Sequence, residues 1–395
     1  MRDCLDAHPL PQPAHGHRTI VLALGKAAPA MLRSVVPRIN GPRVMICVTH
    51  RENAEQVPGA EIFRAGHPVP DSVGAAGAER MQDVLRTTRP GDQVIALISG
   101  GGSALLPAPP AGVTLEDKQA LNQVLLASGL DIVAMNLVRQ QVSELKGGGL
   151  ARLAAPAPVT GYILSDVVGD DLRAIASGPT VAPIGTAEEA RHLLQGAGVL
   201  DRLPQSIQRH LRKVGRPRAP TAAINHLIGG NRESVMAAAR ALRPDYETEV
   251  IDTPLTGDVA EAACAVFHRL RASGAREWPR AILWGGETTV QVRGGGLGGR
   301  NQELALRLAA LADAEPVAMP WTFLSAGTDG RDGPTEAAGA IVDQDTISRI
   351  RARGQSPARY LDRNDSNAAL RLSEDLLITG ATGTNVADVQ VLLIG

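Results

Sequence analysis

Aromatic side chains are almost missing from this chain, with three Trp, three Tyr and three Phe among 395 residues. Single-stranded nucleic acid is held largely by stacking bases on aromatic platforms, so their scarcity argues against that class of partner. Cysteine is equally sparse. Cys4, Cys47 and Cys264 show no metal or redox spacing and suit a reducing cytoplasm. No apolar run approaches the roughly 20 residues of a membrane span. Pro9, Pro11 and Pro13 stand where a signal peptide needs an apolar stretch. No sign of charge dominates either, because 40 Lys and Arg face 41 Asp and Glu. That balance gives no basic surface for a polyanion. The expectation is a soluble, cytoplasmic protein with neither nucleic acid nor membrane as partner.

The length exceeds what one ordinary core serves, so two domains are expected. In the first half, apolar strands alternate with helices. Thr19–Leu24, Arg43–Thr49, Asp92–Ser99 and Val159–Leu164 read as strands. Asp71–Arg86, Thr114–Ala127 and Asp131–Leu145 read as helices, the first capped by Asp71. Such alternation predicts a Rossmann-like parallel sheet sandwiched by helices. Around Arg212–Pro220 the pattern dissolves into Lys, Arg, Gly and Pro. The boundary is placed there, giving domains 1–215 and 216–395. The second is read as an α/β domain with a mixed sheet. It opens with strand Ala222–Ile228 and a helix capped by Asn231, then strand Glu247–Ile251 and helix Gly257–Ser273. Further strands are expected at Trp321–Ser325, Ala338–Val342 and Val389–Ile394.

One run is the most informative. A strand from Ile282 to Val292, broken at Gly285-Gly286, leads into Gly294-Gly295-Gly296-Leu297-Gly298-Gly299-Arg300-Asn301 and a helix starting near Gln302. Free backbone N–H groups, a positive dipole end and a guanidinium fork suit phosphate. The pattern of strand, glycine turn and helix recurs at Gly25-Lys26, at Ser99-Gly100-Gly101-Gly102-Ser103 and at Gly229-Gly230-Asn231. In open α/β sheets this edge binds ligands. Four such turns point to one phosphate-binding cleft, although each alone can be structural.

Lys26 follows the first strand at a helix start, where a cation opposes the dipole, and suits a transferring phosphoryl group. The turn is no P-loop: Ile20 replaces the first glycine and Ala27 the Ser or Thr. Two turns supply carboxylates: Asp166 and Asp170 in 165–171, and Asp329 and Asp332 in 327–333. Phosphoryl transfer uses Mg²⁺ and a carboxylate near the acceptor hydroxyl. Asp166 is placed with catalysis, Asp170 and Asp332 with the metal and Asp329 with the nucleotide. The residues themselves leave open which is base and which is ligand. Glu287, inside an apolar strand, must be paired or stand at a strand end. Asn301 reads as a helix cap or a nucleotide contact, and His67 as a turn residue or a substrate-orienting group. Asn364-Asp365-Ser366 and Thr379–Asn385 read as further polar rims.

With these residues quoted, the chain resembles the type II glycerate 2-kinases, the MOFRL family, from about Ile20 to the C-terminus. The likeness rests on Gly25-Lys26-Ala27-Ala28, Gly66-His67-Pro68-Val69-Pro70-Asp71, Ile98–Leu105, Ser165–Asp170 and Ala176-Ser177-Gly178-Pro179-Thr180. It continues through Gly285-Gly286-Glu287-Thr288-Thr289, Gly298-Gly299-Arg300-Asn301-Gln302-Glu303 and Ala326–Gly330. The resemblance implies a two-domain α/β kinase with its active site in the interdomain cleft. ATP with Mg²⁺ would phosphorylate the 2-hydroxyl of D-glycerate, giving 2-phosphoglycerate, and the resemblance implies a homodimer. It assigns catalysis to Lys26 and Arg300. Ser99, Gly100, Gly101, Gly102 and Ser103 would cradle phosphates or the substrate carboxylate, with Asn231, Glu287, Gly298, Gly299, Asn301 and Asp329 completing the nucleotide site. Two departures stand out: only about eighteen residues precede the first strand, and Asn367-Ala368-Ala369 lacks the aromatic usual after Asn-Asp-Ser.

Two other readings stay open. Gly294, Gly296 and Gly299 satisfy Gly-x-Gly-x-x-Gly between strand and helix, so an NAD(P)-dependent hydroxypyruvate reductase is the runner-up, with Asp313 and Glu315 as short-offset acidic partners. A non-catalytic sugar-phosphate-binding protein would use the same loops without turnover.

Overall fold

The structure is a computed structural model that describes residues 2–213, 223–273 and 279–395. The chain divides into two compact units, Met1–Ile228 and Gly229–Gly395. Most of the 212–220 stretch read as the boundary lies outside the described residues.

The first unit carries β1 (Thr19–Leu24), β2 (Arg43–His50), β3 (Glu61–Ala65), β4 (Gln93–Ile98), β5 (Val159–Leu164) and β6 (Ala223–Gly229), in the order β3-β2-β1-β4-β5-β6. The pairings of β1 with β2 and β4, of β2 with β3 and of β4 with β5 are parallel. This is the Rossmann-like arrangement that the strand–helix alternation predicts. The short Glu61–Ala65 strand escaped the sequence reading because its Glu and Arg interrupt the apolar pattern. The strand read as opening the second domain joins this sheet as its edge.

Every β1 residue is buried, because helices cover both faces. Alternation divides the strand. Ile20, Leu22 and Leu24 pack with Met81 and Leu85 on one side. Val21 and Ala23 pack with Met31, Leu32 and Val35 on the other. Leu5 and Leu10 join that second cluster, so the short segment before β1 covers this face. The helix Ser72–Leu85 begins as predicted, with the Asp71 carboxylate accepting the Gly74 N–H. Thr114 and Asp117 form a reciprocal capping box on Leu115–Leu126.

The second unit has β7 (Glu247–Val250), β8 (Leu255–Asp258), β9 (Arg280–Thr289), β10 (Trp321–Gly327), β11 (Gly339–Asp343), β12 (Leu376–Leu377) and β13 (Asp388–Ile394). They run β12-β11-β10-β13-β9-β7, with β8 also on β9. The sheet is mixed, as expected. β9 is antiparallel to β13 and parallel to β7 and β8. The predicted break at Gly285-Gly286 is absent, and β9 continues through both glycines. Leu304 and Leu308 of the helix Arg300–Ala314 pack against the helix Val259–Ala272 and onto Trp284, Phe323 and Leu392 of the sheet.

Candidate functional site

In the first unit the chain leaves β1 toward β2 on one side and returns to β4 on the other. The carboxyl ends of β1 and β4 therefore form the topological switch point, where open α/β sheets bind ligands. Lys26 and the 99–103 loop occupy these two ends. Their backbones are tied: the Lys26 N–H donates to the Gly100 carbonyl at 2.9 Å, and the Ala27 N–H donates to Ser99 Oγ at 3.1 Å. Gly25 has φ of +114°, and a Cβ there would strike Ser99, so only glycine lets the two turns touch. The Lys26 carbonyl accepts from Thr49 Oγ1 and Asn53 Nδ2. Three strands thus fix the lysine's backbone.

Asp166, just past β5, lays its carboxylate against Gly100, where any side chain would displace it. A Cβ on Gly101 would lie 3.3 Å from Lys26 Cγ and from the His67 ring. Lys26, Ser99 to Ser103, Asp166 and His67 are therefore brought together in one unit. Asp170 lies further along the same turn, exposed and in the left-handed region at φ of +55°. Beneath the loop, the buried Lys146 donates from Nζ to the Ser103 carbonyl at 2.6 Å. Burial, with Lys118 and Arg139 nearby, holds its amine well below the ordinary lysine range. Buried Lys118 donates to the Val142 carbonyl, and burial first, then Arg139, lowers it to about 7. Sequence reading missed both lysines. The signal for Lys146 was its position before Gly147-Gly148-Gly149.

In the second unit Arg300 opens its helix. Its Nε and Nη2 meet both oxygens of Asp388 at 2.5 and 2.9 Å, and Nη1 meets Glu287 at 3.0 Å. Asp388 is fully buried and paired, as a buried carboxylate requires, whereas Glu287, at the end of its strand, is paired but exposed. Burial pushes the Arg300 guanidinium down, but Asp388, Glu287 and Asp332 outweigh it and raise it above its usual value. Asp388 escaped sequence reading. Its signal, an acid at the head of an apolar strand, is the one that singled out Glu287.

The glycine loop before Arg300 is used differently from the expectation of free N–H groups. Asn364 Oδ1 accepts from the N–H groups of Arg293 and Gly294 at 2.7 and 3.2 Å. Asp365 Oδ1 accepts from Leu297, and the Arg363 carbonyl from Gly296. At the helix start, the two Asp332 oxygens accept from the N–H groups of Asn301 and Gln302 at 3.1 and 2.8 Å. The anion at this N-terminus is the protein's own carboxylate. Asp332, expected among the metal carboxylates, is buried there. Burial pushes it up, against the pull of Gln302 and Asn301. Gly298 and Gly299 pack on Ser366 and Asp332. Asn301 turns its side chain to Asp332 and Ser325. Asn231, read as a helix cap, donates instead to the Val386 and Asp388 carbonyls and braces the head of β13. Asp329 sits in the turn after β10, accepting from the Arg331 N–H. The 379–385 loop closes over that turn through Thr382 and Thr328. Asp313 and Glu315, the acidic partners of the reductase reading, pair with Arg351 and Arg271. Among the described residues, no three His, Cys, Asp or Glu gather as a metal site, and no helix is long and apolar enough to cross a membrane.

The chain is similar to known proteins over most of its length. The domain of unknown function DUF4147 matches residues 2–212 and the MOFRL family matches residues 280–388. A D-glycerate 2-kinase of Thermotoga maritima is 40% identical over 387 residues, covering 95% of this chain and 91% of that protein. A protein of Agrobacterium vitis with the provisional name hydroxypyruvate reductase is 40% identical, covering 96% of this chain and 100% of its own length. The crystal structure of a glycerate kinase from Thermotoga maritima superposes with a TM-score of 0.85 at 37% identity, over 100% of this chain and 94% of that one.

Proposed function

We propose that this chain, which belongs to the glycerate 2-kinase family built on DUF4147 and MOFRL modules, transfers the γ-phosphoryl group of ATP to the 2-hydroxyl of D-glycerate, giving 2-phosphoglycerate. The observation that carries this reading is the gathering of Lys26, the 99–103 loop and Asp166 at the switch point of the first sheet. The substrate oxygen attacks the γ-phosphorus as the bond to ADP breaks, and charge spreads over the equatorial oxygens. In our reading Lys26 and Arg300 stabilise that charge, the lysine as a point charge and the arginine as a braced fork. Asp166 receives the hydroxyl proton. The backbone N–H groups of the 99–103 loop cradle phosphate or carboxylate oxygens.

Mg²⁺ held on nucleotide phosphates needs only one or two protein carboxylates. We assign Asp170, which is exposed, to hold it. Asp332, with both oxygens engaged, is assigned to the helix it caps. When bound, the ion neutralises charge on the phosphates. Cytoplasmic location and a homodimer belong to the same proposal.

The reductase reading loses ground at its own motif. A dinucleotide pyrophosphate needs the loop N–H groups that Asn364, Asp365, Asp332 and the Arg363 carbonyl already take. A coupled ADP-release assay across small hydroxy acids tests the function, with the phosphorylated carbon identified by NMR. Oxidation of NADH by hydroxypyruvate without ADP formation from glycerate would overturn it.

A further inference from the structure

Behind the 99–103 loop runs a chain of hydrogen bonds. Lys146 Nζ lies 3.3 Å from Ser103 Oγ, Ser103 Oγ lies 2.8 Å from Ser177 Oγ, and Ser177 Oγ lies 3.0 Å from Asn136 Oδ1. Lys146, Ser177 and Asn136 are buried, and Ser103 alone is part-exposed. Holding Ser177 in place is conformationally demanding. Ala176, Ser177 and Gly178 follow one another with φ of +50°, +59° and +63°, and two of these are not glycine. Bonds from the Gly147 and Gly148 N–H groups and from Gln140 Nε2 secure this turn.

Counting protons along the chain fixes its direction. Each serine hydroxyl has one proton and two lone pairs. Asn136 Oδ1 only accepts, so Ser177 spends its proton there. Ser103 must then donate to Ser177, and it accepts a Lys146 N–H through one lone pair. One lone pair of part-exposed Ser103 is left, and no proton. Carboxylates and phosphates are acceptors, so neither pairs with it. A hydroxyl does.

We infer that Ser103, oriented by Lys146, Ser177 and Asn136, reads the substrate hydroxyl that is not phosphorylated, the 3-hydroxyl of glycerate. The reacting hydroxyl must lose its proton, and a neutral serine hydroxyl is too weak a base to take it. A hydroxyl that keeps its proton suits it. Lys146, Ser177 and Asn136 are positioning residues, and Ser103 determines specificity. This rests on the kinase reading above.

The test compares kcat/KM for D-glycerate with that for D-lactate, which carries hydrogen in place of the 3-hydroxyl. One neutral hydrogen bond to a part-exposed serine corresponds to about tenfold in that ratio. In Ser103→Ala the ratio falls by about tenfold through loss on glycerate alone, and Ser177→Ala, which frees the Ser103 proton, lowers it in the same direction. Ser103→Thr keeps the oxygen and the preference, and serves if the alanine variant does not fold. An unchanged ratio in soluble Ser103→Ala, equal losses on both acids, or a rise in KM for ATP instead would overturn the inference. No ADP formation by the wild type on either acid would instead sink the kinase reading itself.

Discussion

Two glycine-rich turns, each joining a strand to a helix, do opposite things with their backbones. At 293–302, the N–H groups of Arg293, Gly294, Gly296, Leu297, Asn301 and Gln302 all end on the protein's own acceptors. At 99–103, among the described residues, the N–H groups of Gly101, Gly102 and Ser103 meet no protein acceptor. One loop is closed on itself by the 363–366 segment and Asp332. The other keeps its donors for something else. Glycine content does not separate the two, whereas the placement of acceptors does.

Four measurements sharpen or break that contrast, from the largest effect down. Lys26→Ala and Arg300→Ala should each lower kcat by about a thousandfold with far-UV circular dichroism unchanged, since both cations are assigned to the migrating group. Near-normal turnover in either folded variant would remove it from the mechanism. Asp332→Ala strips the closed loop of its internal anion and leaves two buried N–H groups without acceptors. Urea unfolding should show a loss of about 2 to 3 kcal/mol, and a neutral result would mean that the loop is not held this way. Hydrogen exchange read by mass spectrometry should show peptides over 100–104 gaining protection when ADP and glycerate are added. Peptides over 293–302 should be protected already and change little, and the reverse pattern would exchange the roles of the two loops.

The last measurement reads a slope with pH rather than a loss, at Lys118. Its amine stays charged to about 10.5 when unfolded but only to about 7 when folded. Between those values the unfolded chain binds the extra proton, so stability rises with pH across that window and the benefit is lost as pH falls toward 7. Lys118→Met should flatten that slope in chemical denaturation series. A slope identical to wild type would mean that the amine is hydrated and charged in the native state.

Strand-length apolar runs such as Thr19–Leu24 and Val159–Leu164 declare themselves, because burial on both faces leaves no polar interruption. The cap at Asp71 was legible for a local reason, the short reach from side chain to third N–H. Lys26 and Arg300 stood out as cations beside glycine at helix starts. What stayed hidden was distant in sequence: Asp388 holding Arg300, Asp332 capping residue 301, and Lys146 beneath Ser103. Each is an ordinary polar residue until the fold supplies its partner. Asn364-Asp365-Ser366 was read as a polar rim, yet only three-dimensional contact shows Asn364 fastening Arg293 and Gly294, which lie 71 and 70 positions before it in sequence.

The grip of Asp388 and Glu287 on Arg300 carries one last consequence. With two carboxylates fixing it, the guanidinium is held in one orientation, and the N–H bonds that Asp388 and Glu287 leave over are those it can offer to a ligand. A replacement by lysine would preserve the formal sign yet lose the planar shape that meets two acids at once. It could meet Asp388 through one point contact but not hold Glu287 at the same time, so the conservative swap at this position should lower turnover nearly as far as deletion.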